Sequence, residues 1–173
     1  MWLIALLAIL VLIGILVLGI GSMLPKEHHV TRRAHINRSP TEIWEVLTDF
    51  AGHPEWRMDV RSVKRLSDQN GRQVWQETDK RGRPWIIETV ESVAPRRLVR
   101  RIANVNSVFG GTWTYEIGEY GEVTAMTITE DGEVYNPVVR FMSRFFVGHS
   151  ATIEQYLRAL GTRLGVEVTI TQV

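Results

Sequence analysis

Hydrophobic positions along the chain fall into two regimes. From Trp2 to Leu24 all 23 residues are uncharged, and most are Leu or Ile. A helix of that length reaches roughly 34 Å, enough to cross the ~30 Å hydrocarbon layer of a bilayer. Beyond Lys26 the pattern becomes amphipathic. Within residues 28–37, Val30, Ala34 and Ile36 mark the inward positions of a first strand. Ser39-Pro40-Thr41-Glu42 then predicts a helix start, with a capping hydroxyl, a first-turn proline and an acid able to close a capping box. The helix carries Ile43, Trp44, Val46, Leu47 and Phe50 and ends at Gly52, and Pro54-Glu55-Trp56 opens another short turn.

Strand-like stretches follow at about 60–67, 72–80, 84–92, 97–104, 111–118 and 122–130. Asn70-Gly71 is a hairpin dipeptide that tolerates two positive φ angles. Gly82, Pro95, Gly110-Gly111 and Tyr120-Gly121 separate the other stretches. The connections are too short for crossover helices, which makes the sheet antiparallel. Asn136-Pro137 caps a last long helix whose apolar residues recur at Met142, Phe145, Phe146, Ile153, Tyr156, Leu157, Leu160 and Leu164. Gly165 is its natural stop. Residues 166–173 alternate Val166, Val168 and Ile170, as a loose strand or a frayed tail. The order predicts an α+β fold in which a curved antiparallel sheet wraps a long C-terminal helix, with one N-terminal transmembrane helix in addition.

Composition sharpens this division. The 173 residues are 45% hydrophobic with a net charge of +1, yet residues 1–25 hold none of the 20 basic or 19 acidic groups. The remaining 148 residues suit one domain with a real core. So many charges in that stretch exclude a disordered or fibrous chain. A net charge of +1 argues against a nucleic-acid partner. Without cysteine there is no disulfide, thiol nucleophile or thiolate metal site.

A secretory signal peptide competes with an anchor for residues 2–24. It needs a basic leader, about 7–15 apolar residues and a small-x-small cleavage site. No Lys or Arg precedes this run, and the run is longer, so a retained single-pass membrane anchor over residues 1–25 is the expectation. Lys26, Arg32, Arg33 and Arg38 lie downstream against Glu27 alone, which places the domain in the cytoplasm.

Several stretches together resemble a known family. They are the run Ser39 to Phe50, then Trp56, Val60-Arg61-Ser62-Val63, Gly110-Gly111-Thr112-Trp113-Thr114-Tyr115, Thr127 to Glu133, and Asn136-Pro137. The pattern resembles START-like (Bet v 1-like, SRPBCC) helix-grip domains, and within them the polyketide cyclase/dehydrase and lipid-transport subgroup. It covers about residues 28–164. The resemblance implies a helix-grip ligand-binding domain, taken as residues 26–165, with a cavity between sheet and C-terminal helix and Trp56 near its mouth. The anchor and the tail over 166–173 depart from the usual single-domain form.

Candidate site residues follow from pattern. Trp113 and Tyr115 share a strand face with Ile117 and suit a cavity wall, and the resemblance adds Trp56 at the mouth; plain core is the alternative for any one ring. Glu130 alternates with Met126 and Ile128, so its carboxylate faces apolar neighbours, unless the strand's end lets it reach water. His149 lies on the stripe with Phe145 and Ile153, as a general acid or base or as a bonded core histidine. Arg101 alternates with Val99 and Ala103 and either reaches inward or stays exposed. Arg57, Arg61, Lys64, Arg65 and Arg96, Arg97, Arg100, Arg101 form two basic clusters, which either face anionic headgroups or are simply solvated. The five histidines make no metal set, and no cofactor is expected.

The leading expectation is membrane-tethered binding of a hydrophobic small molecule, a lipid, isoprenoid or polyketide-like compound. The ligand-binding set is Trp56, Trp113, Tyr115, Glu130, Phe145 and His149. A cyclase or dehydratase using His149 or Glu130 for proton transfer is one alternative. An interaction module that docks a membrane partner through an exposed apolar patch is another. No protein partner is legible.

Overall fold

The apolar N-terminal stretch forms one helix, α1 (Trp2–Met23), and the chain passes directly from it into strand β1 (Glu27–Ile36) of the domain. The computed structural model describes residues 1–104, 107–121, 123–147 and 150–173. No part of the apolar window of α1 is buried, so α1 is not a core helix; it is long and apolar enough to span a membrane.

Helix α2 (Pro40–Thr48) starts as its sequence predicts. The Ser39 hydroxyl accepts from the Glu42 amide at 3.3 Å, and the Ser39 amide donates to the Glu42 carboxylate at 2.9 Å. A four-residue turn, α3 (His53–Trp56), follows. Then come β2 (Val60–Arg65), β3 (Val74–Asp79), β4 (Pro84–Val93), β5 (Arg97–Ile102), β6 (Phe109–Tyr120) and β7 (Val123–Val134). The β2–β3 turn places Asn70 at φ 53° and Gly71 at φ 77°, the two left-handed residues that such a hairpin requires. All pairings are antiparallel, in the order β2-β3-β4-β5-β6-β7-β1-β8, and β1 closes against β7 over its whole length. Strand β8 (Thr169–Gln172) pairs with β1, so the C-terminal residues form a strand rather than a frayed tail.

Among the described residues, the last helical region is not uniformly α-helical. It consists of α4 (Pro137–Met142), a π-helical turn over Ser143–Val147, and α5 (Ala151–Leu164), which ends at Gly165 with φ 68°. Only α5 lies in the grip of the sheet. Its Ile153, Leu157 and Leu160 are fully buried in one cluster with Ile36, Ile43 and Met126. The first half of the apolar stripe does different work. Met142, Phe145 and Phe146 are exposed, because α4 packs along the end of α1 and leaves these side chains off the core. Gly21, the buried residue of α1, permits that approach: a Cβ there would overlap the Pro137 carbonyl.

Candidate functional site

Strand alternation sends every second residue of β5, β6 and β7 toward α5. One cross-strand row reads Arg100, Trp113, Glu130 and Val30, each opposite the next. The row beside it reads Leu98, Tyr115 and Ile128. Tyr156 of α5 stands over both rows. Its ring centroid lies 5.8 Å from Trp113, 5.7 Å from Tyr115 and 5.3 Å from Trp56 of α3. Phe50 continues the aromatic wall to Trp75 at 5.3 Å, in edge contact. Such tilted and edge contacts suit the ring quadrupoles.

Buried charge is set into this wall. Arg100 is 5% exposed and donates to Glu77 at 2.7 Å; Arg57 donates to the other Glu77 oxygen at 2.9 Å and to Asp59 at 2.6 Å. The Arg100 guanidinium carbon lies 4.1 Å from the Phe50 ring centroid, so the plane of the guanidinium is braced by an aromatic face. Burial opposes ionisation of Glu77, but Arg100 and Arg57 outweigh it and hold the carboxyl at about 2. His53 is buried, donates from Nε2 to the Leu47 carbonyl at 3.1 Å, and accepts at Nδ1 from Arg57 at 3.3 Å. Burial first and Arg57 second push its pKa down to about 4, so the ring is neutral. Burial raises the Tyr115 phenol to about 12 and carries Tyr156 well above its ordinary value, so both keep their protons.

Not every buried polar atom here has a partner. Among the described residues, Arg100 Nε and Nη2, the Tyr156 hydroxyl and Glu130 Oε2 make no hydrogen bond. An orphaned buried donor costs about 1–3 kcal/mol, more when charged. Fixed donors beside apolar rings suit a ligand that is mostly hydrocarbon and carries an anionic or carbonyl oxygen. The guanidinium edge supplies charge and direction, and the phenol supplies one more donor.

The expected site residues divide accordingly. Trp56, Trp113 and Tyr115 meet at Tyr156. Glu130 lies in the same row as Trp113 and Arg100, on the face of Met126 and Ile128, and accepts from His28 Nε2 at 3.1 Å. Phe145 stands apart: it is 57% exposed, on the π-helical turn, against Phe141. His149, with Gly148, lies outside the described residues. Arg101 is not the inward arginine; it is exposed and pairs with Glu88 at 2.6 Å, while its neighbour Arg100 takes the inner face. Arg57 and Arg100 are likewise not part of solvated or headgroup-facing clusters, because Glu77 draws both inward. Arg100, Glu77, Arg57, His53 and Tyr156 complete the candidate site, and none of them is in the ligand-binding set expected from the sequence. Two surface pockets, of about 420 and 410 Å³, lie outside this cluster, one around Asn37–Pro40 and Glu119–Thr124, the other around Leu24–Val30 and Arg140.

The profile of the polyketide cyclase/dehydrase and lipid-transport family matches residues 27–165, the whole span from β1 to the end of α5. The chain belongs to that family. None of the curated proteins matches it. Among solved structures, this polyketide cyclase/dehydrase-family chain is similar to a START superfamily protein from Mycobacterium smegmatis, at 19% identity and TM-score 0.64, covering 80% of this chain and 97% of that one. It is also similar to the Zhui aromatase/cyclase from Streptomyces sp. R1128, at 15% identity and TM-score 0.64, covering 80% and 94%. The di-domain aromatase/cyclase StfQ from the steffimycin biosynthetic pathway aligns at 13% identity and TM-score 0.63, over 81% of this chain and 53% of that one. At such identities the likeness is one of fold: the START-like helix grip.

Proposed function

We propose that the protein is a membrane-tethered binder of a hydrophobic small molecule, a lipid, isoprenoid or polyketide-like compound, held between sheet and α5. The observation that carries this reading is Arg100: a guanidinium 5% exposed, with two unpartnered N–H-bearing nitrogens, set among Phe50, Trp113 and Tyr156. The ligand's oxygen group takes Arg100 and the Tyr156 hydroxyl, and its hydrocarbon displaces the ring contacts of Tyr156 with Trp56 and Trp113. Burial of apolar surface drives binding at roughly 25 cal/mol per Å². The family's own description names lipid transport alongside cyclase and dehydrase, which supports an apolar ligand. Helix α1 is the tether, and the basic residues after it favour a cytoplasmic domain.

Glu130 favours a second reading, a cyclase or dehydratase. Its free oxygen shares a row with Arg100, two strands and therefore roughly 10 Å away, so an acid–base group and a cation flank Trp113. A supplied ligand recovered with mass and chromatographic retention both unchanged supports carriage; one recovered with water lost, or as an isomer of shifted retention, supports this enzyme.

Native mass spectrometry of the full chain in mild detergent tests binding. The expected result is a small-molecule adduct on the wild type and an affinity for it roughly 10- to 100-fold lower in Arg100→Met, the usual worth of a charged hydrogen bond. A wild-type protein that is empty, and that takes nothing from lipid vesicles, contradicts the proposal.

A further inference from the structure

Outside the grip, the connection from α1 into β1 and the α4 segment border a pocket of about 410 Å³ lined by Leu24, Lys26, Glu27, His28, Arg140 and Arg144, among others. Arg140 is 7% exposed, donates from Nη1 to the Leu24 carbonyl at 2.7 Å, and keeps its Nε without a partner. Among the described residues, no carboxylate lies within 4.0 Å of the nitrogens of Lys26, Arg140 or Arg144. Glu130, Asp131 and Glu133 of β7 lie outside the lining and are hydrogen-bonded to His28, His29 and Tyr135. Glu27 is the acid that remains on the rim. Three cations therefore face one pocket with one carboxylate beside them.

Position decides what such a pocket meets. Leu24 ends the apolar run, so if α1 spans a bilayer, the pocket lies at the depth of the lipid headgroups. Val138, Met142, Phe145 and Phe146 are exposed apolar side chains on α4, which packs on α1, and on the π-helical turn that continues it. Aromatic and apolar groups on a short helical segment, with arginines on the same segment, are the composition of an interfacial element. A patch of this kind in contact with a transmembrane helix is covered by lipid.

We propose that the pocket between the α1–β1 connection and α4 binds the phosphate of an anionic phospholipid headgroup, with Arg140, Arg144 and Lys26 as its ligands, while Phe145, Phe146 and Met142 enter the acyl region below it. The proposal rests on the reading of α1 as a membrane tether. It gives the segment that borders the grip a second task, holding the domain's end flat on the bilayer. The headgroup contacts are separate from Arg100, so this site and the ligand site fail independently.

The test uses the full chain reconstituted in nanodiscs of phosphatidylcholine containing a minor fraction of phosphatidylglycerol. Lipid that remains bound on release into detergent is identified by native mass spectrometry. Phosphatidylglycerol is expected to be retained in preference to phosphatidylcholine. Arg144→Gln and Lys26→Gln, both at exposed positions, each lower that preference about five-fold, following the usual worth of a basic residue near an anionic surface. Added inorganic phosphate leaves the retained lipid in place. Equal retention of the two lipids, indifference to both substitutions, or displacement by inorganic phosphate would each overturn the headgroup site while leaving the tether intact. A chain that does not enter nanodiscs at all overturns the tether and this site together.

Discussion

Glu77→Gln is expected to lower the stability of the folded domain by about 3–5 kcal/mol, the usual consequence of removing one partner from a buried ion pair. Arg57 keeps Asp59 at 2.6 Å, but Arg100 loses the carboxylate that compensates its charge and stays enclosed by Phe50 and Trp113. The loss is read as a shift in the denaturation midpoint of the detergent-solubilised full chain, followed by near-ultraviolet circular dichroism of the aromatic cluster. Glu77→Gln combined with Arg100→Met should recover at least half of it, since the double variant buries no stranded guanidinium at that position. A single variant within 1 kcal/mol of wild type would show that water already compensates Arg100.

Acid is expected to weaken the domain in two successive intervals. His53 has a folded pKa of about 4 against 6.5, set by burial and then by Arg57. Between those values the unfolded chain takes up a proton that the folded chain refuses, so stability falls as pH drops from 6.5 to 4, by on the order of 3 kcal/mol. Glu77 acts lower. Its burial is outweighed by Arg100 and Arg57, which hold it at about 2 against 4.5. Its contribution is therefore complete above pH 4.5 and is lost as pH falls toward 2. His53→Gln preserves a donor toward Leu47 and an acceptor toward Arg57, and should flatten the upper interval while leaving the lower one. Thermal melts across pH measure both slopes, and identical slopes for wild type and variant above pH 4.5 would rule out His53 as the titrating group.

What could be read from the chain was local. The capping box at Ser39, the left-handed pair at Asn70-Gly71 and the stop at Gly165 are each written in two to four adjacent residues, and each forms as read. Trp113 and Tyr115 were legible because alternation on β6 is regular. The charged half of the site was not. Arg57 lies four residues before Arg61 and Arg100 beside Arg101, and what buries them is Glu77, 20 and 23 residues away. On β5 the alternation itself is ambiguous, because Leu98, Val99 and Arg100 are all buried. Alternation from Val99 therefore raises Arg101 as the residue that either reaches inward or stays exposed, and it leaves Arg100 among the surface arginines. A signal did exist: Glu77 follows Trp75 by two positions, so a carboxylate shares a strand face with an indole. The apolar stripe of the C-terminal helix reads as one face because its spacing continues through Met142 and Phe145. The packing of α4 on α1 at Gly21 separates those residues from the core, and periodicity carries no information about that contact.

The central claim is that an apolar ligand enters the grip beneath Tyr156 and meets Arg100. The most direct measurement is photo-crosslinking of the membrane-embedded full chain with a diazirine-bearing fatty acid, followed by mapping of the labelled peptides. The account predicts label on the β6 peptide containing Trp113 and Tyr115 and on the α5 peptide containing Tyr156, reduced by Arg100→Met. Label confined to α1 and the exposed face of α4 would contradict it.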